Sequence, residues 1–312
     1  MVVSVILLTR NTCKQTQEAI ESVLGSSDTL TKEIFVVDNA STDETPKVLP
    51  ETYPQVHYSR MERNLGFARA VNFAAHEANG DFLLLLNSDA RLAPDALGLA
   101  VEWMRSHRSC GVAGGQLYSP DGKKQNSIAN FPSLATELLN KFLLRTLWPK
   151  RFPGKEQDYR EPLEVESIIG AFFLVRRSVW DTLRGLDERF FFFLEETDFC
   201  LRARRAGFCT MHLPQVHVWH GQGQTAKQNL EGARIEYWKS RYTYFAKHYG
   251  MLTHGLLHIG LLLRLVVDFV ASCTLNVLTI GQSRRWREKC SVYGALLWWH
   301  LQGCPAKAGL PR

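Results

Sequence analysis

Between residues 2 and 105, short apolar runs of strand length alternate with stretches of helical periodicity, and no other feature narrows the possible folds as much. Strands are expected at 2 to 8, 33 to 37, 57 to 60 and 82 to 86, and helices at 13 to 24, at 67 to 79, and from Pro94 to about Arg105. Ser41 with Glu44 reads as a capping box for a further short helix. Such βαβ repetition predicts a doubly wound parallel sheet. A chain of 312 residues, 45% of them hydrophobic, can bury a core for one large domain or two.

Open parallel sheets bind ligands at the carboxyl ends of their strands, so residues at those ends come first. The run Phe82-Leu83-Leu84-Leu85-Leu86 stops at Asn87-Ser88-Asp89, where an amide and a carboxylate two residues apart can aim hard oxygens at one divalent cation. Asn-x-Asp is also an ordinary turn sequence. Asp38 ends another strand and is placed to accept hydrogen bonds from a sugar hydroxyl or a base edge, while Thr9 and Asn11 share the rim at the first strand's tip. Each of these also suits a helix cap.

From Ser119 to Glu164 the alternation stops, and the segment reads as an insertion or long loop. Within it Phe142, Leu143, Leu144, Leu147, Trp148 and Phe152 are interleaved with Lys141, Arg145, Lys150 and Arg151, which suits either a packed helix or a lip touching membrane or a lipid-linked substrate. A strand is expected at 165 to 176, and two short strands after Gly207. Phe190 to Phe193 then abut Glu195, Glu196 and Asp198; partial burial and mutual repulsion raise carboxylate pKa values, as a general base near neutral pH requires. The same acids would suit a helix N-terminus. His220, ahead of Gly221 and Gly223, is a candidate metal ligand through a neutral ring nitrogen.

The net charge of +6 suggests an acidic partner such as nucleotide phosphate, nucleic acid or anionic lipid. Seven scattered cysteines without a Cys-x-x-Cys pair read as reduced thiols. Val2 to Leu8 reads as a first strand and not as a signal peptide. A helix is expected from about 229 to 248, and residues 255 to 283 carry only Arg264 and Asp268 as charges. Arg284, Arg285, Arg287 and Lys289 follow, a pattern that suits an anionic cytoplasmic leaflet, with Trp298-Trp299 able to sit at the interface.

Taken in order, Leu8-Thr9-Arg10-Asn11, Val37 to Asp43, Asn64-Leu65-Gly66-Phe67-Ala68, Leu85 to Asp89, Gly170-Ala171, Glu195 to Arg202 and His217 to Gly223 resemble the family 2 inverting glycosyltransferases, and most of all their rhamnosyltransferase-like branch. The resemblance covers roughly residues 2 to 225. It implies an α/β GT-A fold (nucleotide-diphospho-sugar transferase), a Rossmann-like sandwich with a predominantly parallel central sheet. Residues 1 to 225 would be the catalytic domain, 226 to 250 a connecting helix, and 251 to 312 a helical, membrane-associated region.

The same resemblance implies that Thr9, Arg10, Asn11, Asp38, Asn64, Gly66, Asn87, Ser88 and Asp89 bind the nucleotide part of the donor. Asp89, Asn87 and His220 would hold Mg²⁺ or Mn²⁺. Glu196 would be the base that deprotonates an acceptor hydroxyl, with Glu195 and Asp198 orienting the acceptor or tuning that base. Arg10 stands where the family often has Tyr, Asn87 replaces the first Asp of its Asp-x-Asp, and Glu196 replaces an Asp. The implied partners are a dTDP- or UDP-sugar, a lipid-linked or polysaccharide acceptor and the cytoplasmic face of a bacterial inner membrane; nucleic acid is not among them. A nucleotidyltransferase, which would want a Gly-rich phosphate loop where Thr9-Arg10-Asn11-Thr12 stands, and an inactive carbohydrate-binding protein are the alternatives.

Overall fold

The computed structural model describes residues 1–154, 157–221 and 229–312. Its first half follows the alternation: β1 (Val2–Thr9), α1 (Cys13–Leu24), β2 (Thr31–Asp38), α2 (Thr45–Thr52), β3 (His57–Arg60), α3 (Phe67–Glu77) and β4 (Phe82–Asn87). A short β5 (Ala90–Leu92), α4 (Ala96–Ser106) and β6 (Cys110–Tyr118) follow. The middle of the chain holds β7 (Ile128–Ala129), α5 (Leu134–Leu138), α6 (Lys141–Leu147), β8 (Leu163–Val165), β9 (Ser167–Ile168) and β10 (Phe172–Arg176). Then come α7 (Arg177–Leu183), α8 (Glu195–Arg205), β11 (Cys209–His220), α9 (Leu230–His248), α10 (Met251–Leu278) and α11 (Arg284–Leu301).

The main sheet runs β3-β2-β1-β4-β10-β6-β11-β5, with β8 also paired to β11. It is parallel from β3 through β4 and between β6 and β11, but β10 lies antiparallel between β4 and β6. β10 is entered directly from the Ile169–Ala171 loop at the sheet's carboxyl end, so the chain runs back through the sheet with no crossover helix to reverse it. Leu84 and Leu86 belong to the core on one face, and Leu83 and Leu85 to the core on the other. A strand sandwiched on both faces needs an unbroken apolar run, which is what 82 to 86 supplies.

Several local expectations change. Ser41 does not cap α2: its Oγ accepts from Asn11 N across the rim, and Asp43 Oδ1 accepts from Thr45 N at the helix start instead. β6 is an additional central strand, entirely buried but for Tyr118 and too rich in glycine to show as one. The segment 165–176 is broken at Ile169–Ala171, and the two strands expected after Gly207 are one, β11, with irregularities that include a bulge between Leu213 and His217.

The C-terminal helices close a third core, in which Tyr244 and Phe245 of α9 meet Leu257, Leu261 and Leu265 of α10 and Trp299 of α11. α10 is 28 residues long, with a mean hydropathy of 1.9 over its most apolar window, enough by length and composition to cross a membrane. One row packs inward; Leu252, Ile259, Leu263, Val267 and Val270 are left largely exposed.

Candidate active site

A cavity of about 310 Å³ opens at the carboxyl ends of β1 and β4, within the size range of small-molecule sites. Arg10, Asn39, Asn64, Gly66, Asn87, Ser88, Asp89 and His220 are among the residues lining it. Topology explains the meeting of Asp89 with a residue 131 positions later: β5 leaves the triplet at once and pairs antiparallel with the end of β11, setting Ala90 opposite His220. Gly221 N donates to the Asp89 carbonyl at 2.9 Å. His220 Nε2 lies 3.3 Å from Asp89 Oδ1 and 3.4 Å from the Asn87 amide nitrogen. The buried His220 Nδ1 and Arg10 Nε have no hydrogen-bond partner among the described residues. A carboxylate, an amide and an imidazole thus converge on one wall, with a guanidinium nearby.

Another part of the lining is the start of α8. Glu195 and Glu196 line the cavity, and the Oε2 atom of each is buried without a partner among the described residues. Burial, reinforced by the charge of Glu196, drives the Glu195 carboxyl well above the usual range. Burial pushes Glu196 up to about 7, outweighing backbone N–H groups at the helix start that pull the other way. Both acids are presented by a strained entry, since Phe193 and Leu194 have φ of 75° and 66°, a left-handed conformation costing roughly 1–2 kcal/mol per non-glycine residue. Asn11 and Ala40, at 54° and 63°, sit in the same region on the opposite rim. Gly66 is required where it stands. Its φ is 81°, and a Cβ there would fall 2.5 Å from the Phe191 carbonyl oxygen, which accepts from Phe67 N.

Not every expected residue reaches the cavity. Asp198 points the other way, fully buried against Arg202 at 2.8 Å, Lys247 at 2.6 Å and His248 at 2.7 Å. It ties α8 to α9. Asp38 and Asn11 close the rim on itself: Asp38 Oδ1 accepts from Ser41 N and Oδ2 from the Tyr58 hydroxyl, while Asn11 Oδ1 accepts from Thr42 N. Thr9 does line the cavity, with its hydroxyl buried in a cluster with Thr12 and Thr16. Asn39, next to Asp38, lines the cavity instead; it is itself buried, donating to Asn64 Oδ1 and accepting from Leu65 N. Gly223 and the boundary at 225 lie outside the described residues.

Residues near the C-terminus complete the cavity mouth, with no sequence signal to announce them. Leu310 is buried and lines it, the Pro311 carbonyl accepts from Asn64 Nδ2 at 2.6 Å, and the Arg312 guanidinium sits 4.8 Å from the Phe191 ring centroid.

The Glycosyl transferase family 2 model matches residues 4–184. An N-acetylglucosaminyl-diphospho-decaprenol L-rhamnosyltransferase of Mycobacterium tuberculosis is 27% identical over 233 residues, 70% of this chain and 76% of that protein. Rhamnosyltransferase WbbL of Escherichia coli is 27% identical over 54% of this chain and 63% of its own. Among solved structures, the mannosyltransferase PcManGT of Pyrobaculum calidifontis, in complex with GDP-Man and Mn²⁺, superimposes with a TM-score of 0.57 at 16% identity, covering 96% of this chain and 86% of that one. GalNAc-T7 with UDP, GalNAc and Mn²⁺ gives 0.55 at 17% identity, covering 79% and 50%. Those structures share the GT-A fold seen here, and with a family model matched over more than half its length, the chain belongs to glycosyl transferase family 2 and is a glycosyltransferase.

Proposed function

We propose that the enzyme transfers a deoxyhexose such as rhamnose, with inversion, from a dTDP- or UDP-sugar to a hydroxyl of a lipid-linked or polysaccharide acceptor of the cell envelope. The observation that carries this reading is the meeting of two unlike groups in one cavity: Asn87, Asp89 and His220, and a raised-pKa Glu196 whose Oε2 has no partner among the described residues. The rhamnosyltransferase relatives support the sugar class.

Asp89, Asn87 and His220 are the residues that would hold Mg²⁺ or Mn²⁺. Their hard oxygens and imidazole nitrogen suit either ion, and His220 keeps a buried ring nitrogen without a partner among the described residues. Among the described residues no cluster of three or more His, Cys, Asp and Glu assembles, so the protein supplies few anionic ligands and the donor's diphosphate would complete the set. The cation, when bound, supplies Lewis-acid neutralisation of the departing diphosphate. Arg10 sets a guanidinium on the same side, able to meet diphosphate oxygens or stack on the base. Asn39, Asn64 and Gly66 form the nucleotide-side rim.

Glu196 acts as base. It takes the acceptor hydroxyl's proton as that oxygen bonds to the anomeric carbon; the bond to the diphosphate oxygen breaks, and its electron pair leaves with the nucleoside diphosphate. Glu195, with its own raised pKa, holds a proton beside Glu196 and limits the charge there. The exposed apolar row of α10 and the basic residues opening α11 favour the cytoplasmic face of a bacterial inner membrane. Incubation of the full chain with a panel of nucleotide sugars and an envelope lipid extract tests the reading. Nucleoside diphosphate release from a dTDP- or UDP-deoxyhexose is expected, and release from none of the panel would end it.

A further inference from the structure

α10 has the length and hydropathy of a membrane span, but its surroundings do not suit one. Leu257, Leu261 and Leu265 form its packed row, buried against α9 and α11. On the opposite side Leu252, Leu256, Ile259, Leu263, Val267 and Val270 recur at helical spacing and are exposed. Between Met251 and Leu278 the only charges are Arg264 and Asp268. Both stand beside the packed row, where Arg264 donates to the Glu137 carbonyl at 3.2 Å and pairs with Asp268 at 3.6 Å. The outer stripe is therefore free of charge along the whole helix.

Two features weigh against crossing. α9 packs along the first half of α10, with Tyr242 stacked on His258 at 3.6 Å, and it carries Glu231, Arg234, Glu236, Lys239, Arg241 and Lys247. A crossing α10 would draw these groups toward the hydrocarbon, where each charge is costly. The second feature is α11, which returns antiparallel: Tyr242 brings His258 and Trp299 together, and Phe269 approaches Gly294 further along. Its first turns hold Arg284, Arg285, Arg287 and Lys289, offset only by Glu288, which pairs with Arg284 at 2.7 Å. Arg285 and Arg287 are exposed. Crossing by α10 would deliver this basic cluster to the far side, against the preference of such clusters for the cytoplasm. In the plane of one leaflet the same residues meet lipid phosphates while the stripe meets acyl chains.

We propose that the α10–α11 hairpin embeds in one leaflet of an anionic bilayer, parallel to its surface, and does not cross it. The charge-free stripe of α10 enters the acyl boundary, and Arg285 and Arg287 hold anionic headgroups at the bend. Cytoplasmic use of the donor is the one element taken from the proposed function. Attachment is then reversible and set by the lipid charge of that leaflet.

The test floats the purified full chain with vesicles of phosphatidylethanolamine and phosphatidylglycerol, and with vesicles of phosphatidylcholine alone. Wild type should float with the anionic vesicles and bind the neutral ones at least about tenfold more weakly. R285E/R287E should remove that preference. I259E/L263E should cut binding to the anionic vesicles at least about tenfold, with an unchanged melting temperature. Gln282→Cys, in the bend between the two helices, reports crossing. In intact spheroplasts a membrane-impermeant maleimide should label this variant no more than wild type, and permeabilisation should expose the added thiol. Labelling before permeabilisation, absence of wild-type flotation, or flotation unchanged in I259E/L263E overturns the proposal. Lipid-free dimers that fail to float and dissociate in I259E/L263E would give the stripe to a second copy instead. Nucleoside diphosphate release without vesicles reads the transferase separately, so failure of that reading leaves the flotation result standing.

Discussion

Glu196 and Asp198 stand two residues apart in the first turn of α8, and the structure treats their carboxyl groups in opposite ways. Glu196 lines the cavity with an oxygen that has no partner among the described residues, and burial raises its pKa to about 7. Burial alone would also raise Asp198, but His248, Lys247 and Arg202 outweigh it and hold its pKa below the usual value. One face of the helix keeps an acid ready to accept a proton; the other spends an acid on anchoring. The lesson is that a run of acids is not one functional unit, and that partners, more than burial, decide which acid can do chemistry.

The largest effect should come from the cavity side. Glu196→Gln is expected to cut turnover by roughly 10² to 10⁴ with nucleotide binding preserved, read from single-turnover kinetics beside a binding isotherm. Comparable turnover for Asp198→Asn would erase the contrast in the other direction. Asp198→Ala removes the acceptor shared by Arg202, Lys247 and His248, and, because Lys247 keeps Asp187 at 2.6 Å and Arg202 keeps the Leu183 and Gly185 carbonyls, should cost about 1.5–3 kcal/mol in denaturant unfolding. A loss under about 1 kcal/mol would mean the anchor is not one. On the metal wall, Asp89→Ala should weaken Mn²⁺ binding in the presence of UDP, measured by the free-Mn²⁺ electron paramagnetic resonance signal. An unchanged titration would remove Asp89 from the site.

The pH dependences should carry opposite signs. Raised in the fold, Glu196 lends stability that is complete below its unfolded pKa, near 4.5, and lost as pH climbs through about 7. Asp198, lowered in the fold, contributes stability above its unfolded pKa, near 3.8, that is lost as pH falls through the folded value. Wild type minus Glu196→Gln stability, followed by urea melts from pH 5 to 8, should therefore decline with pH, while kcat/KM rises through about 7. A flat difference would contradict the raised pKa. The smallest change is Gly66→Ala, where positive φ and the Phe191 carbonyl together should cost about 1–2 kcal/mol and raise the donor KM.

The parallel half of the sheet was legible because strands buried on both faces must be continuously apolar, and their polar terminators then mark the rim. Asn87 and Asp89 were found that way, and Glu196 from the acids that follow the run Phe190 to Phe193. Asp198 was misplaced for a reason the sequence did contain: positions two apart on a helix point roughly 200° apart, so it could not share a wall with Glu196. Asp38 and Asn11 were misplaced for a reason it did not contain, since only the folded rim shows Tyr58, Ser41 and Thr42 reaching their side chains first. β6 stayed hidden because Gly111, Gly114 and Gly115 suppress the strand signal; a Cβ on Gly114 or Gly115 would fall within 2.6 Å of Ile168 or Val216.

Leu310, Pro311 and Arg312 give the first cavity a property that none of its walls would give alone. A ligand that takes the Asn64 N–H now given to the Pro311 carbonyl must displace that carbonyl, so binding through this donor is an exchange between two partners and not an addition to an open site. The apparent affinity is then the intrinsic one reduced by the fraction of time the tail is away. Substitutions at Leu310, remote in sequence from every motif, would tune donor affinity while leaving the chemical step unchanged.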